Sequence, residues 1–390
     1  MLQRKALALL GVIALLAAAC TSSGATGTPG ATGTPGATGT AAASGSSAAG
    51  CVVGVSWNNY QQPRWAKADE PAMKKAIEDA GGKYIRADAN LKMEQQLTDI
   101  DSMIGQGAKV LIVLAQDTKL ILPAIEKAKA ANIPVIGYDR LIEDPAVLYL
   151  TFDNKKVGSL EAQAIMKAAP KGNYAVIKGN AGDPNANFLR SGMDEVGLPA
   201  KGDTSKDIKV VYEDYTTDWK TENAQKNMET ALNSATPVNN IQAVVSENDS
   251  MAIGVVAALQ KVGLAGTVPV SGQDGDEANL NNLAKGFQTV DVWKDAFALG
   301  KTAGQAAIQL CNGKKIAEVT APQLADYVKP AAGNGTQDFT TPGGKVVKSI
   351  TLTPVAITKD NLNLVVDQGW ILKDKLCAGV DPAKAPAACK

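Results

Sequence analysis

One arrangement occurs twice in this chain, and it restricts the fold more than any other feature. The apolar run Val110–Leu114 leads through Gln116-Asp117 and an amphipathic stretch to Ile133-Pro134-Val135-Ile136-Gly137-Tyr138-Asp139. Far downstream, Ala243–Ser246 leads through Asn248-Asp249 and a second amphipathic stretch to Val268-Pro269-Val270-Ser271-Gly272-Gln273-Asp274. Each copy reads as strand, amide-Asp, helix, Pro-Val strand, Gly-x-Asp. Short, wholly apolar strands separated by helices belong to parallel sheets covered on both faces. The expected fold class is therefore α/β, with two doubly wound parallel-sheet domains. Open parallel sheets bind ligands beyond the carboxyl ends of their strands, where Asp117, Asp139, Asp249 and Asp274 all fall.

The remaining pattern extends this alternation. A strand at Val52–Ser56 precedes a polar loop over 57–63 and an amphipathic stretch that stops at Gly81-Gly82, with Pro71 expected to interrupt it. A strand over 83–88, a helix over 93–106 with Leu97, Ile100 and Ile104 on one face, and a helix over 121–131 follow. Further on, helices are expected over 156–168, 186–196, 221–233 and 249–262, and strands over 174–178, 208–212, 241–246 and 268–271.

The N-terminus carries a different signal. Arg4 and Lys5 precede an apolar run over 6–19, and Leu16-Ala17-Ala18-Ala19-Cys20 supplies small residues ending in cysteine. This is the pattern of a signal peptide, too short to cross a bilayer core of roughly 20 residues comfortably. It resembles a bacterial lipobox, which implies lipidation of Cys20. Residues 21–50 are uncharged Ser, Thr, Gly, Ala and Pro, and repeat Ala-Thr-Gly-Thr-Pro-Gly at 25–30 and 31–36. Such a segment buries too little apolar surface to offset its ordering entropy and is expected to be a flexible tether. The folded body then starts at Cys51. What remains of the 390 residues exceeds the roughly 250–300 that one core accommodates.

Composition removes whole classes of chemistry. The chain has no histidine, so Ser-His-Asp, Cys-His and His-metal sites are excluded together. Lys and Arg balance Asp and Glu at 39 each, which gives no electrostatic footprint for nucleic acid. The cysteines do not cluster at metal spacings, and no cofactor is expected. Besides Cys20 they are Cys51, Cys311, Cys377 and Cys389, an even number, consistent with two disulfides or fewer in an oxidising compartment.

Several short runs carry a resemblance. They are Arg64-Trp65, Tyr138-Asp139-Arg140, Phe152-Asp153-Asn154 with Val157-Gly158, Ser246-Glu247-Asn248-Asp249, Ser271-Gly272-Gln273-Asp274 and Val292-Trp293-Lys294. Together they resemble the periplasmic sugar-binding proteins of ABC transporters (periplasmic binding protein type 1), most of all the members that bind xylose. The likeness spans about Val53 to Leu364. It implies two domains joined by three hinge crossings, near 151–153, 290–292 and 352–354. It divides the body into 51–152 plus 292–352 and 153–291 plus 353–376, with a C-terminal tail over 377–390. It also implies a monomeric, non-enzymatic receptor that delivers a monosaccharide, D-xylose first, to an ABC permease and its ATPase subunit. The membrane would be touched only through the lipid.

The site residues this resemblance implies suit sugar chemistry. A pentose presents neighbouring hydroxyls, each donor and acceptor, on a ring with apolar C–H faces. Asp139 and Asp274 would accept from hydroxyl pairs, Arg64 and Arg140 would donate, and Asn185 and Asn248 would do both. Lys294 would reach the ring or anomeric oxygen, while Trp65 and Trp219 would cover the ring faces. For Asp117 and Asp249, which directly precede helices, capping is the stronger reading. Arg140 could simply pair with Asp139, Trp219 could pack on a helix start, and Asn185 lies in an Asp-Pro-Asn turn with Arg190 one helical turn beyond. The loop 56–63 departs from the acidic loop expected in xylose binders, so Gln61 or Asn58 could replace a contact.

Alternatives are another sugar (glucose, arabinose or ribose), a glycosidase using paired carboxylates, or a sugar-responsive repressor, which would begin with a DNA-binding headpiece. Cys377 and Cys389 bracket a segment without apolar periodicity, and a bridge between them would pin it. With the crossings implied above, Cys51 and Cys311 fall on the same cleft-distal side. They either pair or stay buried and reduced.

Overall fold

The computed structural model describes residues 50–390. The signal segment, Cys20 and the tether lie outside the described residues. The chain builds β1 (Val52–Trp57), α1 (Glu70–Asp79), β2 (Lys83–Asp88), α2 (Met93–Gly105), β3 (Val110–Val113), α3 (Leu122–Ala130), β4 (Val135–Tyr138) and β5 (Val147–Phe152). It continues through α4 (Asn154–Ala168), β6 (Gly172–Lys178), α5 (Pro184–Glu195), β7 (Ile208–Tyr215), α6 (Thr221–Ser234), β8 (Ala243–Ser246), α7 (Asp249–Lys261), β9 (Ser271–Gln273), α8 (Glu277–Lys285) and β10 (Val290–Trp293). After α9 (Ala296–Cys311) come β11 (Gln337–Thr340), β12 (Val346–Leu352) and β13 (Val355–Ile357).

Two parallel-dominated sheets result. The first has the order β11-β12-β5-β4-β3-β1-β2, antiparallel only at β11. In the second, β7-β6-β8 and β13-β10-β9 are joined through one parallel bridge between Val244 and Val270, with only β13 antiparallel. The chain leaves the first sheet after Phe152, returns after Trp293 and leaves again between Leu352 and Val355.

Strand alternation explains the layers. In the first sheet Ile112, Ile136 and Leu148 pack with Met73, Ile77, Leu299 and Ala303 from α1 and α9. Their neighbours Leu111, Val113, Val135 and Val147 face Ile100, Met103 and Ile125 from α2 and α3. The second sheet repeats this, with Ile177 and Val244 against α6 and α7 and Val176 and Val245 against α4 and α5. Each such side chain contributes about 1.5–3 kcal/mol on burial. Helices α4 and α5 touch through glycine: a Cβ on Gly158 would stand 1.9 Å from the Leu189 carbonyl oxygen, and one on Gly192 1.9 Å from that of Lys155.

Three local expectations change. Pro71 does not interrupt the first helix. Trp65–Asp69 form a π-helical turn that runs into α1, and Pro71 sits in the first turn of α1, where a missing N–H costs least. The ladder at 268–271 begins regularly only at Ser271, since Pro269 has no N–H to give it. The cap of α7 is Asn248, whose Oδ1 accepts from the Met251 N–H, and not Asp249, which is turned into the protein. Cys51 is bonded to Cys311 at the end of α9, and Cys377 to Cys389, which pack beside Trp370 and Ile371.

Candidate functional site

The two repeated Gly-x-Asp turns end β4 and β9 in the same way. The Asp139 N–H donates to Leu150 O at 2.8 Å and the Asp274 N–H to Val292 O at 3.1 Å, so each Asp completes its ladder before the chain turns. Both adopt left-handed backbone, with φ of 62° and 106°, a conformation that non-glycine residues hold only when their surroundings fix it. The turns bring the two carboxylates to one small polar cavity between the sheets. It is lined by all nine side chains expected to meet a ligand, Arg64, Trp65, Asp139, Arg140, Asn185, Trp219, Asn248, Asp274 and Lys294, together with Gln62, Asp183 and Gln273.

Charge pairing fixes the centre. Arg64 is fully buried, with Nε and Nη2 on Asp69 at 3.0 and 2.9 Å and Nη1 3.0 Å from Asp274 Oδ1. The same Nη1 lies 3.4 Å from Asp139 Oδ1. Lys294 Nζ stands 3.4 Å from Asp274 Oδ1 and 3.8 Å from Asp139 Oδ1. Burial raises the Asp139 pKa, but the charges of Lys294, Arg64 and Arg140 outweigh it and hold the carboxyl below its ordinary range. Burial likewise acts against the Arg64 charge, and Asp69, Asp139 and Asp274 overcome it. The acid is therefore an ionised, acceptor-only group beside obligate donors.

Several buried polar atoms have no protein partner of good geometry, among them Asp139 Oδ1, Gln273 Oε1 and Trp219 Nε1. Buried polar atoms are nearly always paired, so each such atom needs an explanation. Asn248 uses its oxygen on the helix cap and has its amide nitrogen left to donate. Gln62 accepts from Trp65 Nε1 at 2.9 Å and likewise keeps its amide nitrogen. A molecule with adjacent hydroxyls would satisfy this mixture of donors and acceptors.

Two indoles complete the lining. The Arg64 guanidinium lies 4.3 Å from the centre of the Trp65 ring, which orients both groups. Trp219 sits in a turn where Asp218 and Trp219 both have positive φ. Its ring lies on Gly179, where a Cβ would come within 2.0 Å of Trp219 Cη2. The Gly179 N–H is held in turn by Glu247 Oε2 at 2.7 Å. A wider groove elsewhere is lined by Ala72, Ala76, Phe297 and Ile308 together with Lys75, Asp79, Lys301, Gln305 and Gln309, and includes none of the residues expected to meet a ligand.

Comparison with known proteins now decides the family. Residues 53–315 match the periplasmic binding protein domain. The chain belongs to the periplasmic binding protein family. It is 35% identical over 326 residues to the D-xylose-binding periplasmic protein of Escherichia coli (strain K12), an alignment covering 83% of this chain and 92% of that protein. It is 32% identical over 326 residues to the D-xylose-binding periplasmic protein of Haemophilus influenzae, covering 83% and 91%. Among solved structures, an ABC transporter solute binding protein from Clostridium phytofermentans with bound β-D-glucose is 28% identical, with a TM-score of 0.67 and coverage of 83% of this chain and 99% of that one. The chain is a binding protein and not an enzyme.

Within this periplasmic binding protein the cavity corrects some roles. Arg140 pairs not with Asp139 but with Asp183, Nε to Oδ2 at 2.7 Å, while Nη1 donates to Ala115 O. Asn185 lines the cavity, yet its oxygen is taken by Asn154 Nδ2 at 3.0 Å and its nitrogen donates to Asp139 O at 3.0 Å. It braces the Asp139 turn and has one amide hydrogen left. Arg190 is committed to Glu213, Asp194 and Pro199 O. Gln61 is exposed and Asn58 turns to Gln116, so Gln62 is the loop residue that reaches the cavity. Among the described residues no group of His, Cys, Asp or Glu is arranged to hold a metal ion.

Proposed function

We propose that this periplasmic binding protein is an extracytoplasmic receptor that captures a monosaccharide, D-xylose first, between its two sheet-centred domains and presents it to an ABC permease and its ATPase subunit. The observation that carries the reading is the cavity itself. Three carboxylates, three cations and two indoles converge there, a set that suits a small polyhydroxylated ring. Asp139 and Asp274 would accept from neighbouring hydroxyls, while Arg140, Lys294 and the Asn248 amide would donate. The indoles would exclude water from the C–H faces.

Closure follows from where these groups sit. Asp139 and Arg140 extend from the first sheet, and Asn248, Asp274 and Lys294 from the second, so a ligand gains its full set of partners only when the layers approach. Contacts already span them: Arg64 to Asp274, Arg140 to Asp183 and Gln116 Nε2 to Asp218 Oδ1 at 3.2 Å. The three strand-to-strand passages near 152–154, 293–296 and 352–355 would act as the hinge. The relatives named for D-xylose support a pentose. The glucose-bound neighbour supports a second reading, a hexose whose hydroxymethyl group fits beside Trp65. Export and anchoring through Cys20 complete the proposal.

A thermal-shift panel of pentoses and hexoses on the protein tests it. The true ligand at a hundredfold excess over Kd stabilises by ~2.7 kcal/mol. D-xylose is expected to give the largest shift. No shift with any monosaccharide would reject the reading, and a larger shift with D-glucose would favour the hexose.

A further inference from the structure

The loop that carries Asp274 is held from beneath by two carboxyl groups outside the cavity. The Gly275 N–H donates to Asp291 Oδ1 at 3.1 Å, and the Asp276 N–H donates to Asp249 Oδ2 at 2.7 Å. Asp249 starts α7 and Asp291 lies within β10, so two rigid elements grip successive amides of a single turn. Both side chains are wholly buried. The turn needs such anchors, since Asp274 and Gly275 both have positive φ, and it is held besides by the Asp274 N–H on Val292 O and by Trp370 Nε1, which donates to Gly275 O. A Cβ on Gly275 would lie 2.5 Å from Trp293 Cδ1, so the backbone is also pressed against the indole.

We infer that Asp249 and Asp291 are positioning residues for ligand binding: two buried carboxyls that, through the amides of Asp276 and Gly275, set the position of the Asp274 carboxylate. This deepens the proposed sugar-binding role and rests on it.

Each carboxyl has one oxygen on its loop amide, and Asp291 Oδ2 has no protein partner. The charge of Asp291 acts against that of Asp249, and two such buried carboxylates do not both ionise readily, so a proton kept on one of them leaves each an oxygen for its loop amide. The surroundings favour retaining that proton. Facing the pair are Asp274 and Asp276 from the loop and Glu161 from α4, all acidic. The nearby cations, Lys294, Arg64 and Lys67, act on the cavity side, on Glu161 and Asp276. Gln288 Nε2 approaches Asp249 Oδ1 at 3.4 Å, and Asn279 Nδ2 bonds the Gln288 oxygen at 3.0 Å, so the amides nearby are already in use. Burial and then the neighbouring acids hold both groups above the ordinary carboxylate range. A raised pKa here means that the proton is present at lower pH and lost as pH rises. Its loss places two like charges under the loop and loosens Asp274.

The test compares wild type, Asp291→Asn and Asp291→Ala by calorimetric titration with D-xylose at about pH 6 and about pH 8.5, either side of the value near 7 to which Asp291 is pushed. Asp291→Asn keeps an oxygen for Gly275 and removes the group that ionises. It is expected to bind like wild type at the lower pH and to lose less affinity than wild type at the higher. Asp291→Ala is expected to bind roughly tenfold more weakly at both while remaining folded. Hydrogen exchange without sugar supplies a readout independent of the ligand: the amides of Gly275 and Asp276 should lose protection in Asp291→Ala. Unchanged protection there, or an Asp291→Asn pH profile identical to that of wild type, would overturn the inference. Wild type that binds no sugar, with protection lost in Asp291→Ala, would reject the sugar reading and leave the loop-holding pair in place.

Discussion

Replacing Asp274 by alanine separates ligand recognition from folding. The side chain is buried, its Oδ1 accepts from Arg64 Nη1 at 3.0 Å, and Lys294 Nζ lies 3.4 Å away. If it accepts from two sugar hydroxyls, its loss leaves both buried without a partner, at ~1–3 kcal/mol each. The total of ~2–6 kcal/mol corresponds to a roughly 30-fold to 20,000-fold rise in Kd at ~1.4 kcal/mol per tenfold. The fold should suffer less. Arg64 keeps both bonds to Asp69 and its approach to Asp139, and Lys294 keeps Asp139 at 3.8 Å. Asp274→Asn retains one oxygen but turns an amide toward two cations, so it should fall between wild type and alanine. Calorimetric titration with D-xylose, paired with thermal unfolding of each variant, reads both quantities. A folded Asp274→Ala protein binding within about threefold of wild type would refute the assignment of Asp274 as a ligand acceptor.

Three further outcomes follow from other parts of the structure. Gly179→Ala places a methyl where Trp219 now lies, 2.0 Å from Cη2, and should weaken sugar binding at least tenfold with little change in secondary structure, measured by titration and circular dichroism; unchanged affinity would mean that Trp219 does not cover the ligand. Glu161 is buried with neither oxygen paired, and burial, then the charges of Glu247 and Asp274, raise its pKa well above the ordinary value. The folded state thus binds more protons than the unfolded, so stability falls as pH rises above about 4.3. Urea unfolding at acid and alkaline pH should show Glu161→Gln gaining stability over wild type mainly at alkaline pH; equal slopes would remove Glu161 from the account. Small-angle scattering should give a smaller radius of gyration with D-xylose than without, and identical curves from a binding-competent sample would contradict hinge closure.

The sheets and the centre of the cavity were legible in the sequence for a physical reason. Parallel strands such as Val110–Val113 are buried on both faces and read as continuous apolar runs, and a polar residue at the carboxyl end of one has few places to go but the cleft. What stayed hidden was which of several adjacent polar residues turns inward. Asn248 and Asp249 are neighbours, and only the start of α7 decides that one caps and lines the cavity while the other goes beneath the loop. Gln62, not Gln61, reaches the cavity because the π-helical turn at Trp65 sets the register of the preceding loop. Asp183 reads as a turn residue, and its pairing with Arg140 joins segments far apart in the chain. Gln273 stood inside a motif already marked by Asp274, and could have been included on that ground.

A crystal structure of the protein grown with D-xylose tests the central claim most directly. The sugar should lie between Trp65 and Trp219, with its hydroxyls within hydrogen-bond distance of Asp139, Arg140, Asn248, Asp274 and Lys294. Sugar bound elsewhere, or a cleft that takes up none at saturating D-xylose, would contradict it.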